Sequence, residues 1–314
     1  YETELVYLKT KTPKKIAVIG GGVAGMSAAT VAASRGHKVT LFEAATEVGG
    51  QFNLAKVVPG KEEFHETIRY FKVQIEKTGV ELRLNTKVNR EQLEREGFDE
   101  VIVATGVVPR SLKIEGSNAP QVLSYAEVLR GAMVGNRVAV VGAGGIGFDV
   151  SEFLLRPEHQ PQPQPLVDWQ REWGIDPNPN YISEGGLQTA EVDQPVREIY
   201  LLQRKTTPLG IGLGKTTGWV HRAQLKKHAV KMLRGVQYKS ITNEGLWIET
   251  NGYDQLLRVD TVVVCAGQES VKDIMPTEDE FTLANYHIIG GAKLAAELDA
   301  KRAIREGAEL AARL

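Results

Sequence analysis

The chain of 314 residues contains a single cysteine, Cys265. One thiol excludes an internal disulfide and a C-x-x-C redox pair, and no four-cysteine iron–sulfur site can be completed within these residues. The lack of disulfides fits a reducing, cytoplasmic setting. Charge of one sign is missing too. Lys and Arg number 38 against 39 Asp and Glu, a formal net charge of −1, so nothing argues for nucleic acid or an anionic membrane surface. No apolar run reaches the roughly 18 residues of a membrane span, and the opening YETELVYLKTKTPKK lacks the apolar core of a signal peptide. The chain begins at Tyr1 without a methionine, as expected of an excised piece of something longer. Histidines 37, 65, 159, 221, 228 and 287 form no H-E-x-x-H spacing, and there is no G-x-S-x-G elbow. Metal-dependent hydrolysis and serine catalysis are therefore unsupported.

What is present is a glycine fingerprint, twice. KKIAVIGGGVAGMSAA carries Gly20, Gly22 and Gly25, and NRVAVVGAGGIGFDVSEFL carries Gly142, Gly144 and Gly147. Each G-x-G-x-x-G follows an apolar strand-like run. Such a turn lets a parallel strand pass into a helix while its backbone approaches a pyrophosphate, which the helix N-terminus then binds. Two of them imply two dinucleotides, with a nicotinamide beside a flavin as the simplest pairing.

After the first turn, an Ala-rich helix from about Ala24 to Ser34 leads into the strand HKVTLFEA, closed by Glu43. An acid at this place accepts hydrogen bonds from ribose hydroxyls. Gly49-Gly50-Gln51 makes a further flexible turn, and Phe64, Ile68, Phe71 and Ile75 predict an amphipathic helix over 61–77. VELRLNTKV, ending at Val88, reads as a strand, and FDEVIVATG as a buried strand breaking at Thr105-Gly106. The pattern restarts at Val138, with a helix to about Leu155, but the return strand REIYLLQRK comes late. Between them lies a Pro/Gln-rich excursion at about 157–195 holding Trp169 and Trp173. This return strand ends in Arg204-Lys205 where the first ends in Glu43, and cations there suit the 2′-phosphate of NADP.

GLGKTTGWVHR imitates the tail of a P-loop, but Leu209 stands where the first P-loop glycine is needed, so an ATPase is rejected. Its Lys215, His221 and Arg222 read as solvated loop charges, with a mobile loop near the cofactor as the other reading. VDTVVVCAG parallels EVIVATG and predicts a buried, inert Cys265. The tail gives a short strand, Gly290-Gly291, and a long helix whose N-terminus faces a phosphate or flavin.

These motifs resemble the two-dinucleotide-binding flavoprotein reductases. VTLFEAATEVGGQFNLAK, PGKEEFHETIRY, VLSYAEVLRG, LLQRK, GLGKTTGWVHR, VVVCAGQE and HIIGGAKLAAELDAKRAIREG narrow the likeness to the C-terminal half of NADPH-dependent 2,4-dienoyl-CoA reductases, across nearly the whole chain. The resemblance implies FAD held by the turn through Gly20, Gly22, Ala24 and Gly25, by Glu43, by Gln51 and Lys61, and by the backbone of Val88. It implies NADP(H) on Gly144, Gly145, Ile146, Arg204 and Lys205. Gly291 stands where the wider flavoprotein pattern often has Asp, a departure the dienoyl-CoA group shares. In that group an N-terminal barrel like old yellow enzyme carries FMN and the acyl-CoA site, with a four-cysteine 4Fe-4S cluster at the junction. Tyr1 resembles the stretch just after the last cluster cysteine.

The fold expected is α/β, two Rossmann-like dinucleotide-binding domains with one inserted in the other: an FAD domain at 1–130 and 269–314, and an NADPH domain at 131–268. Hydride passes from NADPH to FAD without a side-chain acid or base, so no catalytic residue is named. Three other readings stay open. The chain is the reductase half of another enoate or amine oxidoreductase, a stand-alone reductase similar to thioredoxin reductase but without its dithiol, or a structural domain holding ADP.

Overall fold

A computed structural model describes residues 5–157, 163–178, 186–277, 280–296 and 299–314. The chain opens with β1 (Lys15–Ile19), α1 (Val23–Ser34), β2 (Lys38–Phe42), α2 (Phe52–Ala55), α3 (Phe64–Thr78), β3 (Glu81–Arg83), α4 (Arg90–Glu96), β4 (Glu100–Val103) and β5 (Val107–Pro109). Then come β6 (Val122–Ser124), α5 (Tyr125–Leu129), β7 (Arg137–Val141), α6 (Gly145–Leu155), α7 (Leu166–Trp173), β8 (Glu198–Gln203), α8 (Gly218–Lys227) and β9 (Lys231–Arg234). The remainder is β10 (Gln237–Thr242), β11 (Gly245–Thr250), β12 (Tyr253–Leu257), β13 (Thr261–Val264), β14 (Gln268–Ser270), β15 (Asn285–Ile288), α9 (Gly290–Lys293) and α10 (Ala300–Arg313).

These elements form two compact units. The first comprises 1–56, 63–108 and 268–314, and the second 57–62 and 109–267. The chain thus enters the second unit well before the boundary at 130 expected from the motifs, because β6 already pairs with β13 of the second sheet. Each unit has a five-stranded parallel sheet. The orders, β15-β4-β1-β2-β3 and β6-β13-β7-β8-β9, repeat one plan: the strand before each glycine turn is central, flanked by its return strand and by the VATG or VCAG strand. Parallel sheets of this kind are covered on both faces, and β1, β4, β7 and β13 are accordingly apolar after their first residues, Lys15, Glu100, Arg137 and Thr261.

Helix α1 is buried along its length from Val23 to Ala32. Its alanines allow α10 to approach closely. A Cβ on Gly307 would stand 2.3 Å from the Ala24 carbonyl oxygen, and Ser27 Oγ donates to the Ile304 carbonyl at 2.8 Å. On α3 the 3.6-residue pattern buries Ile68, Phe71 and Ile75. That helix starts at Phe64, not Lys61, since Val57–Glu62 belongs to the second unit. The strand expected to reach Val88 stops at Arg83, where Leu84-Asn85 turns away with Asn85 at φ 52°. The long helix expected after Gly291 is two helices, α9 of four residues and α10, whose N-cap Asp299 accepts from the Arg302 amide.

Two features of the second unit lie outside the fingerprints. Strands β10–β12 form an antiparallel meander, turned by Asn251-Gly252 with both φ positive, at 54° and 81°. The 157–195 excursion is also partly regular. Its described residues contain α7, with a bridge between Ile175 and Leu187; residues 158–162 and 179–185 lie outside the described residues.

Candidate dinucleotide sites

In both units the glycine turn lies at the carboxyl edge of the sheet, beside the central strand, where α/β proteins bind ligands. The two turns are built alike. Gly20 and Gly142 sit at φ 106° and 111°, and a Cβ on either would meet the carbonyl of the neighbouring strand end, Ala104 O at 2.4 Å or Cys265 O at 2.5 Å. The third glycines let helix pack on strand: a Cβ on Gly25 would lie 1.9 Å from Gly20 O, and one on Gly147 1.8 Å from Gly142 O. The middle glycines differ in kind. Nothing lies within 4 Å of a Cβ built on Gly22 or Gly144, nor on Gly145. Gly22 and Gly144 are the N-caps of α1 and α6 and supply no capping side chain, so the first amides of both helices remain available to an anion. These cradles fit dinucleotide pyrophosphates.

Around the first turn, Glu43 follows β2 and its carboxylate accepts from the Gly21 amide at 2.7 Å and the Ala45 amide at 2.8 Å. Those bonds aim an acceptor across the turn, the geometry a ribose diol requires. The 49–51 loop stacks on the turn: Gly49 N donates to Gly21 O at 2.8 Å, and a Cβ on Gly50 would lie 3.0 Å from Gly22 Cα. Gln51 Nε2 donates to Val107 O at 3.3 Å. Thr86 N donates to Glu43 O, bringing the segment that leads to Val88 alongside; the Val88 side chain is core, packed with Phe42, Leu93 and Phe98.

After β4, Thr105 Oγ1 donates to Val271 O, and the Gly106 carbonyl accepts from Val271 N at 3.0 Å. Gly290 and Gly291 close the crevice. A Cβ on Gly290 would meet the Ala24 Cβ at 2.9 Å, and one on Gly291 the Val107 Cγ1 at 2.9 Å, which explains why no Asp occupies 291. Two residues that sequence reading missed hold this turn: Glu306 accepts from the Gly290 amide at 2.7 Å, and Ser270 Oγ donates to Gly291 O at 2.7 Å. Neither carries a motif signal, because each acts across a long stretch of chain.

Lys61, which the resemblance places near the FAD, belongs to the second unit, its Nζ 2.6 Å from Asp149 Oδ2 on α6. Buried Val58 and Pro59 anchor the short segment that carries it there.

In the second unit Ile146 is half-buried in the first turn of α6, behind the exposed Gly144 and Gly145. Arg204 and Lys205 follow β8 as exposed cations. GLGKTTGWVHR is not a run of solvated charges. It wraps α6: Gly210 abuts the Phe148 ring, Arg222 donates to Gly210 O at 2.9 Å, and His221 Nδ1 lies 2.7 Å from Glu152 Oε1. The Glu152 carboxylate holds the His221 imidazolium above its usual range, more than burial lowers it. Lys215 alone of the three remains exposed. Cys265 is buried, and burial pushes its thiol far up, so it is no nucleophile. No group of three or more His, Cys, Asp or Glu suits a metal among the described residues, and no described helix is long and apolar enough to cross a membrane.

Comparison with known proteins agrees with this geometry. Residues 14–289 match the pyridine nucleotide-disulphide oxidoreductase family. The chain is 32% identical over 288 residues to a metal reductase of Desulforamulus reducens, covering 87% of this chain and 40% of that protein. It is 31% identical over 293 residues to a cinnamate reductase of Clostridium sporogenes, covering 93% and 38%. Among solved structures, a 2-naphthoyl-CoA reductase superposes with TM-score 0.79 at 25% identity over 99% of this chain and 41% of the other. The chain therefore spans about two-fifths of the length of these relatives. On the family match and the two sheets with their glycine turns, the chain belongs to the pyridine nucleotide-disulphide oxidoreductases, as a flavoprotein reductase module of two Rossmann-like domains.

Proposed function

We propose that the chain is the NADPH:FAD reductase module of an enzyme of the 2,4-dienoyl-CoA reductase kind, with FAD in the first unit and NADP(H) in the second. The observation that carries this is the doubled turn with open space over Gly22 and Gly144, followed by an acid at one return strand and cations at the other. When both groups are bound, the chemistry supplied is hydride transfer from nicotinamide to flavin.

The chain's own part is to bind and orient. Amides at the N-termini of α1 and α6 take the pyrophosphates. Glu43 fixes a ribose, and the backbone near Val88 lines the adenine. Gly50, Gln51, Thr105, Gly106, Gly290 and Gly291 frame the flavin side of the first cradle. Arg204 and Lys205 take the 2′-phosphate. No side-chain acid or base is required. In a longer protein of this kind, an iron–sulfur cluster and an FMN-bearing N-terminal barrel would supply the path from FAD to the acyl-CoA.

A second reading differs only in the final acceptor. It is favoured by the activities for which the relatives are named, a metal reductase and a cinnamate reductase, which share this module and not a substrate.

The test is rapid mixing of the flavin-loaded protein with NADPH or NADH. NADPH is expected to bleach the flavin absorbance in one phase. Arg204→Glu should weaken NADPH on the order of 100-fold, the worth of a charge-assisted contact, while changing NADH little. Equal losses for both coenzymes would remove the NADPH assignment. A protein that takes up no flavin would favour a structural ADP-binding role.

A further inference from the structure

We propose that Arg234 is a third reader of the nucleotide 2′-phosphate, reaching the site from the strand beside Arg204 and Lys205; this rests on the assignment of NADP(H) to the second unit. Nothing in the motif marks Arg234, which lies far along the chain from the fingerprint. The sheet brings it there. β8 and β9 run parallel with Gln203 opposite Arg234, so both strands end together at the carboxyl edge and those two side chains project from the same face.

The two strand ends are tied into one structure. Gly235 N donates to Lys205 O at 3.0 Å, and Val236 N donates to Gln203 O at 3.0 Å. Gln203 Nε2 donates back to Lys205 O at 3.0 Å and Thr207 O at 2.7 Å, which shapes the loop carrying the first two cations. Gly235, at φ 69°, makes the tight turn that leaves Arg234 at the rim.

Charge supplies the second argument. Arg204, Lys205 and Arg234 are all exposed, and among the described residues none has an ion pair or a side-chain hydrogen bond to a carboxylate. At the opposite end of the same two strands the cation is paired: Lys231 meets Glu198 across β8 and β9. Tyr238, an ionisable neighbour of Arg204, does not neutralise it. Burial raises the Tyr238 phenol far above its ordinary range, more than Arg204 lowers it, so the ring stays uncharged.

Three unpaired like charges carried on two joined strand ends favour an anion among them. A sugar phosphate monoester, carrying nearly two negative charges near neutral pH, answers that need better than a single carboxylate. In folds of this kind the ribose 2′-oxygen is met at the end of the strand returning from the glycine-turn helix, here β8, and β9 ends beside it.

The test is calorimetric titration of the flavin-loaded protein with 2′,5′-ADP and with AMP, which differ only in the phosphate at issue. Arg234→Ala is expected to weaken 2′,5′-ADP roughly tenfold or more and AMP by less than about twofold, with Arg234→Lys recovering part of the loss. In R204A/R234A, 2′,5′-ADP should lose most of its advantage over AMP. Equal weakening of both ligands by Arg234→Ala, or of neither, overturns the role of Arg234 while Arg204→Ala still reports on the NADP(H) assignment. A wild-type protein that binds AMP as well as 2′,5′-ADP would overturn that assignment and this inference with it.

Discussion

At the scale of single residues, the glycines of one motif do separate work. Gly25 and Gly147 exist for packing, since any Cβ there would overlap a carbonyl oxygen at less than 2 Å. Gly22 and Gly144 have φ of −72° and −82°, which any residue adopts, and no protein atom lies within 4 Å of where an alanine methyl would stand. Their smallness has no packing reason and is the kind a bound dinucleotide would need. Gly22→Ala is therefore expected to fold with an unchanged melting temperature and lose flavin, whereas Gly25→Ala should destabilise the fold by roughly 1–3 kcal/mol or more through overpacking. Flavin content measured beside thermal unfolding distinguishes the two. Loss of stability in both variants would mean that the open space over Gly22 has a structural purpose.

At the scale of elements, α7 shows how an insertion is held. Glu172 lies buried and accepts from Gln164 at 2.9 Å, from Gln224, and from His228 at 3.3 Å, while Lys227 donates to the Glu172 carbonyl at 2.8 Å and sits over the Trp173 ring. Burial raises the Glu172 carboxyl, but the bonds from His228, Gln164 and Gln224 outweigh it and bring it down to about 2. Its folded pKa is thus below its unfolded value, so this pairing stabilises above the ordinary carboxylate range near 4.5 and is lost as pH falls toward 2. Tryptophan fluorescence, with Trp169 and Trp173 on this helix, should report release of α7 in that window. Glu172→Gln should abolish the low-pH step and loosen the helix at neutral pH. A titration unchanged by that substitution would assign the docking of α7 to other contacts.

At the scale of the molecule, one plan is executed twice, and the copies differ at the ends of their return strands. Both sheets place a turn between two strand ends, but the first presents Glu43 and the second a set of cations. Since the chain spans about two-fifths of its relatives, the reductase half-reaction is expected to reside here and the acceptor half-reaction elsewhere. The isolated chain, loaded with FAD, should pass electrons from NADPH to a dye such as ferricyanide and leave a dienoyl-CoA untouched. Consumption of the acyl-CoA by this chain alone would contradict that division.

Much of this was legible along the chain because its signals are local. A turn at φ above 100° demands glycine where it stands, and an apolar run before it marks a buried parallel strand; the fingerprints, Glu43, Arg204 and the buried Cys265 were visible for that reason. The Asn251-Gly252 hairpin carries an equally local signal, though it is not among the motifs read from the sequence. Lys61, Glu306 and Arg234 were not. Lys61 depends on which unit captures a six-residue segment, Glu306 on the docking of α10, and Arg234 on which strand lies next to β8. Sequence determined the two cradles, because glycine and strand chemistry act between near neighbours. Tertiary structure alone decided which distant side chains lie beside them, because strand order and helix docking minimise exposed apolar surface over the whole unit and leave no trace at any one position.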